Sequence, residues 1–152
     1  MPASLSRLLQ RGGFAHGVHP PGSKADTAAL PIRQFPFAPL MIVPLLQHAG
    51  KPALPVVRQG QEVLRGELLA EPDGQMSVAM HAPASGTVRR IALAPGASGR
   101  MVPAVYLEPF PGSTQEVADG KPCPPDAPVE EILAAIQEAG VGGLGGAAFP
   151  TH

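Results

Sequence analysis

The chain is poor in the residues that build metal clusters, disulfides and nucleic-acid surfaces. Its 152 residues include one cysteine and no tryptophan, aromatic residues make up 4%, and the formal net charge is −1. A single cysteine excludes an internal disulfide and a cysteine-ligated cluster within the chain. Near-neutral charge with so few aromatic residues gives no basis for a nucleic-acid partner. We therefore predict no metal site and no nucleic-acid binding.

Long apolar runs are also scarce. The longest, residues 37–46, is interrupted by Pro39 and Pro44 and reaches only about half of a membrane-spanning length. Residues 1–14 lack the apolar segment of a signal peptide. We expect a chain with no signal peptide and no membrane span of its own.

Glycine, proline and short apolar pieces are abundant. The chain has 18 glycines, 20 prolines and 44% hydrophobic residues, a composition that can still bury a core. Between residues 31 and 111, short apolar pieces alternate with turn signals, which favours a small β-barrel or sandwich over a parallel sheet with crossover helices. The pieces are residues 56–57, 63–64, 68–69, 78–80, 88–91 and 102–107.

The motif at residues 82–88 (APASGTV) gives this β-region a more specific shape. It resembles the flattened barrel, or barrel-sandwich hybrid, of biotinyl and lipoyl carrier domains. A carrier needs a lysine at a hairpin tip, and the expected tip at residues 71–76 has none; the lysines are Lys24, Lys51 and Lys121. The carrier fold is therefore predicted without the carrier chemistry.

A polar, proline-rich linker at residues 112–125 leads into a predicted helix. Asp126 is the expected N-cap, Pro128 fits the first turn, and Gly140 is the expected C-cap. The helix carries one apolar stripe, and such a stripe requires a surface to pack on. Its members are Val129, Ile132, Leu133, Ile136 and Ala139.

The helix runs into a glycine loop, residues 140–151 (GVGGLGGAAFPT). Glycines at this density let the backbone turn freely or let a ligand approach the main chain closely, and exposed N–H groups can hold an anion. Gly140, Gly142 and Gly145 satisfy G-x-G-x-x-G, but that fingerprint requires a preceding strand and a following helix. A P-loop would require G-K-[ST], which is missing here.

Residues 143–151 resemble the glycine loop of the flavin- and NADH-binding subunit of respiratory complex I. They resemble more closely the RnfC subunit of the Rnf (Rsx) ion-translocating electron-transport complex, and two further motifs follow that family's order: residues 17–21 (GVHPP) and 81–88 (HAPASGTV). The family usually has glycine where His16 stands. The likeness covers nearly the whole chain but only the N-terminal part of such a subunit, so we expect further sequence after it.

The resemblance implies four parts. They are an N-terminal arm (1–30), a barrel-sandwich hybrid domain (31–111), a linker (112–125), and a helix with glycine loop (126–152) that begins a truncated α/β flavin-binding domain. The family's downstream lysine, the remainder of its flavin domain and its cysteine clusters are missing from this chain.

The resemblance also implies a function. The full-length subunit would use FMN and NADH, carry 4Fe-4S clusters downstream, and exchange electrons between NADH and ferredoxin or flavodoxin. Other subunits of the membrane complex would couple this exchange to ion translocation, with the subunit peripheral on the cytoplasmic face of the bacterial inner membrane. This chain alone is expected to hold no cofactor tightly and to be inactive.

Cofactor contacts transfer by motif to five loop residues. Gly143 and Gly145 match the flavin side, Gly146 and Phe149 match the nicotinamide side, and Ala147 lies between them. No residue is predicted to be catalytic.

The resemblance and the local sequence also bear on Leu144, on two histidines and on Cys123. Leu144 stands where the complex I loop usually has arginine, so a charge contact made there should be absent. The loop is costly to order and the flanking walls that would hold it are missing, so we expect it to be disordered or loosely packed. His19 and His81 are predicted to be structural, with the His81 ring bonded to a backbone carbonyl. Cys123 has no histidine or base near it in sequence and is predicted to be incidental.

The alternative function is a non-enzymatic β-barrel docking module that anchors the subunit to its partners, with the glycine loop as a connector.

Overall fold

The computed structural model describes residues 21–33, 35–112, 115–120 and 122–152. The chain divides into two units between Phe35 and Pro36. The described residues of the first unit form a short turned segment, in which the amides of Thr27 and Ala28 donate to the Lys24 carbonyl at 3.1 and 2.8 Å. The strands and the helix described below belong to the second unit.

The second unit is mainly β, as predicted. Among the described residues it has seven strands followed by one helix. The elements are β1 Met41–Pro44, β2 Leu54–Pro55, β3 Glu62–Val63, β4 Leu68–Glu71, β5 Met80–His81, β6 Gly86–Pro95, β7 Met101–Pro109 and α1 Val129–Glu138. The first sheet has the order β1–β7–β6–β3 and the second sheet the order β2–β4–β5, with antiparallel neighbours throughout.

The β6–β7 hairpin dominates the first sheet. It is longer than the predicted pieces at 88–91 and 102–107, because cross-strand pairing continues from Gly86 opposite Pro109 to Pro95 opposite Met101. Arg89 pairs with Glu108 across the hairpin, and the Arg90 guanidinium stacks 4.2 Å from the Tyr106 ring centre. These pairings extend the strands through polar residues, and apolar runs in the sequence do not indicate strands at such positions.

The strand β1 was not among the predicted pieces, and the predicted piece at residues 56–57 does not form a strand. The run at residues 37–46 contains β1, whose pairing with β7 joins positions more than 50 residues apart and leaves no local signal. The predicted piece at 56–57 lies just after β2; Val57 is buried in the core without belonging to a strand. Strand assignment here depends on the long-range partner rather than on local hydrophobicity.

The core lies between the two sheets and is built from aliphatic side chains. Full burial of one valine or leucine side chain stabilises the fold by about 1.5–3 kcal/mol relative to leaving it exposed. The largest fully buried apolar residues are Leu45, Val63, Leu69, Val88, Val105 and Leu107. They come from both sheets and from the segment after β1, and all six belong to one core cluster. A second, smaller cluster of Ala94, Ala104 and Tyr106 lies on the β6–β7 hairpin.

Helix α1 begins two residues later than predicted. Asp126 lies in the preceding turn, where the Ala127 amide donates to Pro124, and Pro128 occupies the N-cap without a side-chain hydrogen bond. The helix ends with Ala139 as the C-cap, and Gly140 follows with φ +72°, the left-handed conformation that terminates helices. The predicted termination at Gly140 is therefore one residue late, although the glycine has the expected conformation.

The apolar stripe of α1 is partly exposed to solvent. No residue of the helix is fully buried, and Val129 and Leu133 are 66% and 42% exposed.

Within the described ranges, no helix has the length and apolar character needed to cross a membrane.

Candidate functional site

The base of the glycine loop is closed by backbone pairing. Gly142 and Pro150 form an antiparallel bridge, the Gly143 amide donates to the Phe149 carbonyl at 3.0 Å, and the Thr151 amide donates to Val141 at 3.2 Å. Glycine at 142 and 143 is compatible with this pairing but not demanded by it, since an added Cβ would meet only ordinary contacts at 3.7 and 3.8 Å. The loop is thus a short hairpin-like projection.

The tip of the loop is open. Leu144 is fully exposed and Phe149 is 60% exposed. Cβ atoms added at Gly145 and Gly146 would meet no atom within 4 Å, and neither glycine has a left-handed φ. The described fold therefore gives no steric or conformational reason for glycine at these two positions.

Gly140, at the start of the loop, is different. It has φ +72°, and a Cβ there would lie 2.5 Å from the Ala79 carbonyl oxygen. The helix end approaches the barrel closely because this side chain is missing, and the Gln137 carbonyl accepts a hydrogen bond from the Ala79 amide at 3.1 Å. This glycine is required by the fold.

The far side of the loop is attached to the segment between β1 and β2. Ala148 adopts φ +51°, an unusual conformation for a residue with a Cβ. Its carbonyl accepts a hydrogen bond from the Ala49 amide at 3.0 Å. The loop is therefore fixed at both ends while its tip projects into solvent.

The turn between β4 and β5 is where the barrel holds the helix and the C-terminal segment. This is the tip region in which a carrier domain would have its lysine. Four successive carbonyls, those of Gly74, Gln75, Met76 and Ser77, accept hydrogen bonds from outside the turn. The donors are Gln137 Nε2 to Gly74 (2.8 Å) and Ser77 (2.9 Å), His152 Nε2 to Gln75 (2.8 Å) and the Lys51 amide to Met76 (2.9 Å).

The same junction contains buried polar atoms that have no hydrogen-bond partner among the described residues. They are His48 Nδ1, Ser77 Oγ and His152 Nδ1. The His48 Nε2 atom lies 3.1 Å from the Lys51 carbonyl; because a carbonyl only accepts, this nitrogen carries the proton. Burial lowers the pKa of His48, and the bond to Lys51 opposes this effect. Atoms of this kind commonly bind ordered water.

A groove of about 620 Å³ lies beside the junction, between β4–β5, α1 and the linker. Both His81 and Cys123 line it, so the fold brings a histidine to the same groove as the thiol, although the two are distant in sequence. Desolvation lowers the pKa of His81. The predicted bond from the His81 ring to a backbone carbonyl is not formed within the described part of the chain.

The predicted cofactor residues Gly143, Gly145, Gly146, Ala147 and Phe149 all lie on the projecting loop. Their assignment to flavin or nicotinamide sides stays a prediction, and His19 lies outside the described residues. In the segments the structure describes, no three histidine, cysteine or acidic residues cluster to hold a metal.

Three features were not identified from the sequence: the contacts of Gln137, the positive φ of Ala148, and the role of the β4–β5 turn as an acceptor of hydrogen bonds from the helix. Gln137 lies off the apolar stripe of α1 and interacts with carbonyls 60 and 63 positions earlier in the chain. No local pattern reports such a contact.

A family comparison decides what kind of barrel this is. The family model described as the RnfC barrel sandwich hybrid domain matches residues 12–110. The chain belongs to this family. The prediction of a barrel-sandwich hybrid from an RnfC subunit is thereby confirmed, and the strands β1 to β7 all lie within the matched residues.

Curated relatives of this RnfC-family chain have consistent names. The Pseudomonas aeruginosa relative, named as a subunit of an ion-translocating oxidoreductase complex, is 45% identical over 91% of the chain, which corresponds to 18% of that relative. The Acetobacterium woodii relative, named as a subunit of a Na(+)-translocating ferredoxin:NAD(+) oxidoreductase complex, is 36% identical over 95% of the chain and 33% of the relative. The proton-translocating counterpart of Clostridium ljungdahlii is 37% identical over 91% and 31%.

The chain thus spans a third or less of the length of these relatives. The match extends beyond the barrel, since 95% coverage in the Acetobacterium woodii protein must include much of the helix and loop region. These relatives are all named as subunits of ion-translocating oxidoreductase complexes.

Proposed function

We propose that this chain forms the N-terminal part of an RnfC subunit that exchanges electrons between NADH and ferredoxin. In this proposal the glycine loop is the first wall of an FMN and NADH site, iron–sulfur clusters lie downstream, and membrane partners couple the reaction to ion movement. The subunit is peripheral, on the cytoplasmic face of the inner membrane.

The observation that carries the proposal is the open tip of the loop. Gly145 and Gly146 have room for a Cβ and no left-handed φ, so internal packing does not account for them. Glycine at these positions would instead leave space for a flat ligand to lie against the main chain. The residues present therefore fit a flavin or nucleotide.

The chain's own contribution would be to position these ligands. Gly143 and Gly145 would face the flavin, and Gly146 and Phe149 the nicotinamide nucleotide, with Ala147 between them. The Phe149 ring, 60% exposed, would supply an apolar contact. FMN, when bound, supplies the chemistry that links hydride donors to one-electron carriers, while the protein sets geometry and electrostatics. Leu144 adds no charge to the site.

The test uses the full-length product of the reading frame that encodes this chain. We expect Gly145→Val to purify with at least tenfold less FMN than the unaltered protein. Gly146→Val should retain FMN, but NADH should reduce little of that FMN. Reduction is measured as the loss of flavin absorbance after NADH is added. Gly112→Val is the matched control, because an added Cβ there also meets open space. Normal flavin content and reduction in both loop variants would refute the proposed site.

A second function, docking to partner subunits, is favoured by one surface of the β6–β7 hairpin. Ile91, Leu93 and Met101 lie on one face, because Ile91 pairs with Val105, Leu93 with Pro103 and Met101 with Pro95. All three are exposed, Leu93 by 58%. An exposed apolar row of this kind is typical of an interaction surface.

Docking and cofactor binding can be separated by one pair of variants. Leu93→Glu should reduce copurification of the full-length protein with the other subunits of the complex and leave its flavin content unchanged. Leu54→Glu, on the second sheet, is the control because Leu54 is also exposed. Equal recovery of the complex with both variants would exclude the hairpin row as the docking surface.

A further inference from the structure

Gln137 occupies a distinctive position at the end of α1. Its side-chain amide donates to the carbonyls of Gly74 and Ser77 at 2.8 and 2.9 Å. Its own backbone carbonyl accepts from Ala79 and from Gly140, each at 3.1 Å. One residue therefore connects the last turn of the helix, the first residue of the glycine loop and the β4–β5 turn.

The bond to Ser77 matters most because Ser77 is completely buried. A buried carbonyl that loses its donor keeps the cost of desolvation without compensation. Of the described residues, only Gln137 donates to this carbonyl. The amide also satisfies two acceptors at once, and this fixes the rotation of the helix end about its axis as well as its distance from the barrel.

We infer that Gln137 is a positioning residue, which sets the orientation of the glycine loop by fixing the helix end to the β4–β5 turn. The turn that would present a lysine-linked cofactor in a carrier domain here acts as the support of a separate loop. The consequence for cofactor binding rests on the proposed function; the positioning itself does not.

The first experiment measures amide hydrogen exchange in the chain itself. Gln137→Ala removes both side-chain bonds and should accelerate exchange of the Gly143 and Thr151 amides, which close the loop base, by about tenfold or more. Exchange of the buried hairpin amides of Val105 and Leu107 should not change. This contrast separates a local loss of orientation from general destabilisation.

Gln137→Glu tests whether the donor atoms are responsible. The ionised carboxylate has the shape of glutamine but cannot donate, and it would face two carbonyl oxygens. At neutral pH we expect exchange at least as fast as in Gln137→Ala. Below the carboxyl pKa, the protonated side chain regains one O–H donor, so protection of Gly143 and Thr151 should recover partly relative to Gln137→Ala at the same pH.

The Gln137→Ala variant is the control for other acid effects, since His48 and His81 titrate in both variants. Equal protection of Gly143 and Thr151 in the unaltered chain and in Gln137→Ala would overturn the inference. A Gln137→Glu variant that shows no acid recovery relative to Gln137→Ala would also overturn it.

A flavin measurement distinguishes this inference from the proposed function. In the full-length protein, Gln137→Ala should raise the FMN dissociation constant about tenfold, because a smaller fraction of loops is in the competent orientation. If the unaltered full-length protein binds no flavin, the proposed function fails, while the exchange results still decide the role of Gln137. Unchanged FMN affinity alongside loosened loop exchange would overturn the link between orientation and binding.

Discussion

The glycines of the barrel and those at the loop tip occupy their positions for different reasons. In the barrel, Gly86 lies at the start of β6 opposite the end of β7, and a side chain there would collide with the backbone of Glu108 and Pro109. Gly50 would collide similarly with the Met76 carbonyl. At the tip, Gly145 and Gly146 have open space and ordinary φ values.

This difference separates what the fold requires from what a ligand would require. A glycine that excludes a backbone collision is explained by the structure itself. A glycine with free space around it is not explained by the structure. In a loop that is fixed at both ends, the simplest reason for such a glycine is close approach of another molecule to the main chain. Gly140 belongs to the first group although it adjoins the second.

The largest expected effect is that of Gly86→Val. The added side chain collides with backbone atoms that cannot rotate away, so β6 and β7 must separate at this end of the hairpin. We expect a loss of about 3 kcal/mol or more in the free energy of unfolding, measured by chemical denaturation. Gly112→Val should change this energy by no more than about 0.5 kcal/mol. Equal stability of the two variants would break the distinction.

Gly140→Ala should have a smaller and more local effect. The left-handed conformation costs about 1–2 kcal/mol for a residue with a Cβ, and the added atom would lie 2.5 Å from the Ala79 carbonyl oxygen. We expect loss of about 2 kcal/mol in the protection of the helix end, measured by amide exchange at Ala79 and Gly140. Gly142→Ala is the control, since its Cβ meets only a 3.7 Å contact.

The buried His48 predicts a pH dependence of the junction. Burial lowers its pKa below the ordinary value of 6.5, so the unfolded chain takes up this proton at a higher pH than the folded chain does. Stability is then fully present above pH 6.5 and is lost as pH falls below it. His48→Gln retains a donor for the Lys51 carbonyl but does not titrate.

Denaturation measured from about pH 7.5 to about pH 5 should therefore have a shallower pH dependence in His48→Gln than in the unaltered chain. Desolvation lowers the pKa of His81 too, and this contributes in the same direction in both proteins. Identical pH profiles would show that His48 takes up its proton at the same pH in the folded chain as in the unfolded chain, and would contradict this prediction.

Ala148→Gly should stabilise the loop slightly. Ala148 has φ +51°, a conformation that glycine adopts without the steric cost, although glycine adds flexibility to the unfolded chain. The two effects leave an expected net gain of up to about 1 kcal/mol, measured as slower exchange of the Ala49 amide. Ala147→Gly is the control, because Ala147 has no positive φ and should lose rather than gain protection.

Local patterns in the sequence accounted for much of the fold. The mainly β barrel followed from short apolar pieces between turns, and the helix from a single apolar stripe ended by Gly140. The missing lysine at residues 71–76 allowed the carrier fold to be predicted apart from carrier chemistry. These features depend on residues within about one turn or strand of each other.

Features that depend on distant partners could not be predicted. The strand β1 exists because β7 supplies hydrogen bonds, and the long hairpin contains Arg89 and Arg90, which are paired only in three dimensions. The junction of Gln137 with Gly74 and Ser77 likewise joins two segments that are separate in sequence. The density of glycines indicated the loop, but only the structure separated Gly140, which the fold requires, from Gly145, which it does not.

The most direct test of this separation is a paired measurement on Gly145→Val. Chemical denaturation of this chain should give an unfolding free energy within about 0.5 kcal/mol of the unaltered chain, while FMN titration of the full-length protein should show at least a tenfold loss of affinity. A stability loss above about 1 kcal/mol would make Gly145 a structural glycine, and unchanged FMN affinity would make the loop a connector. Either result would contradict the account.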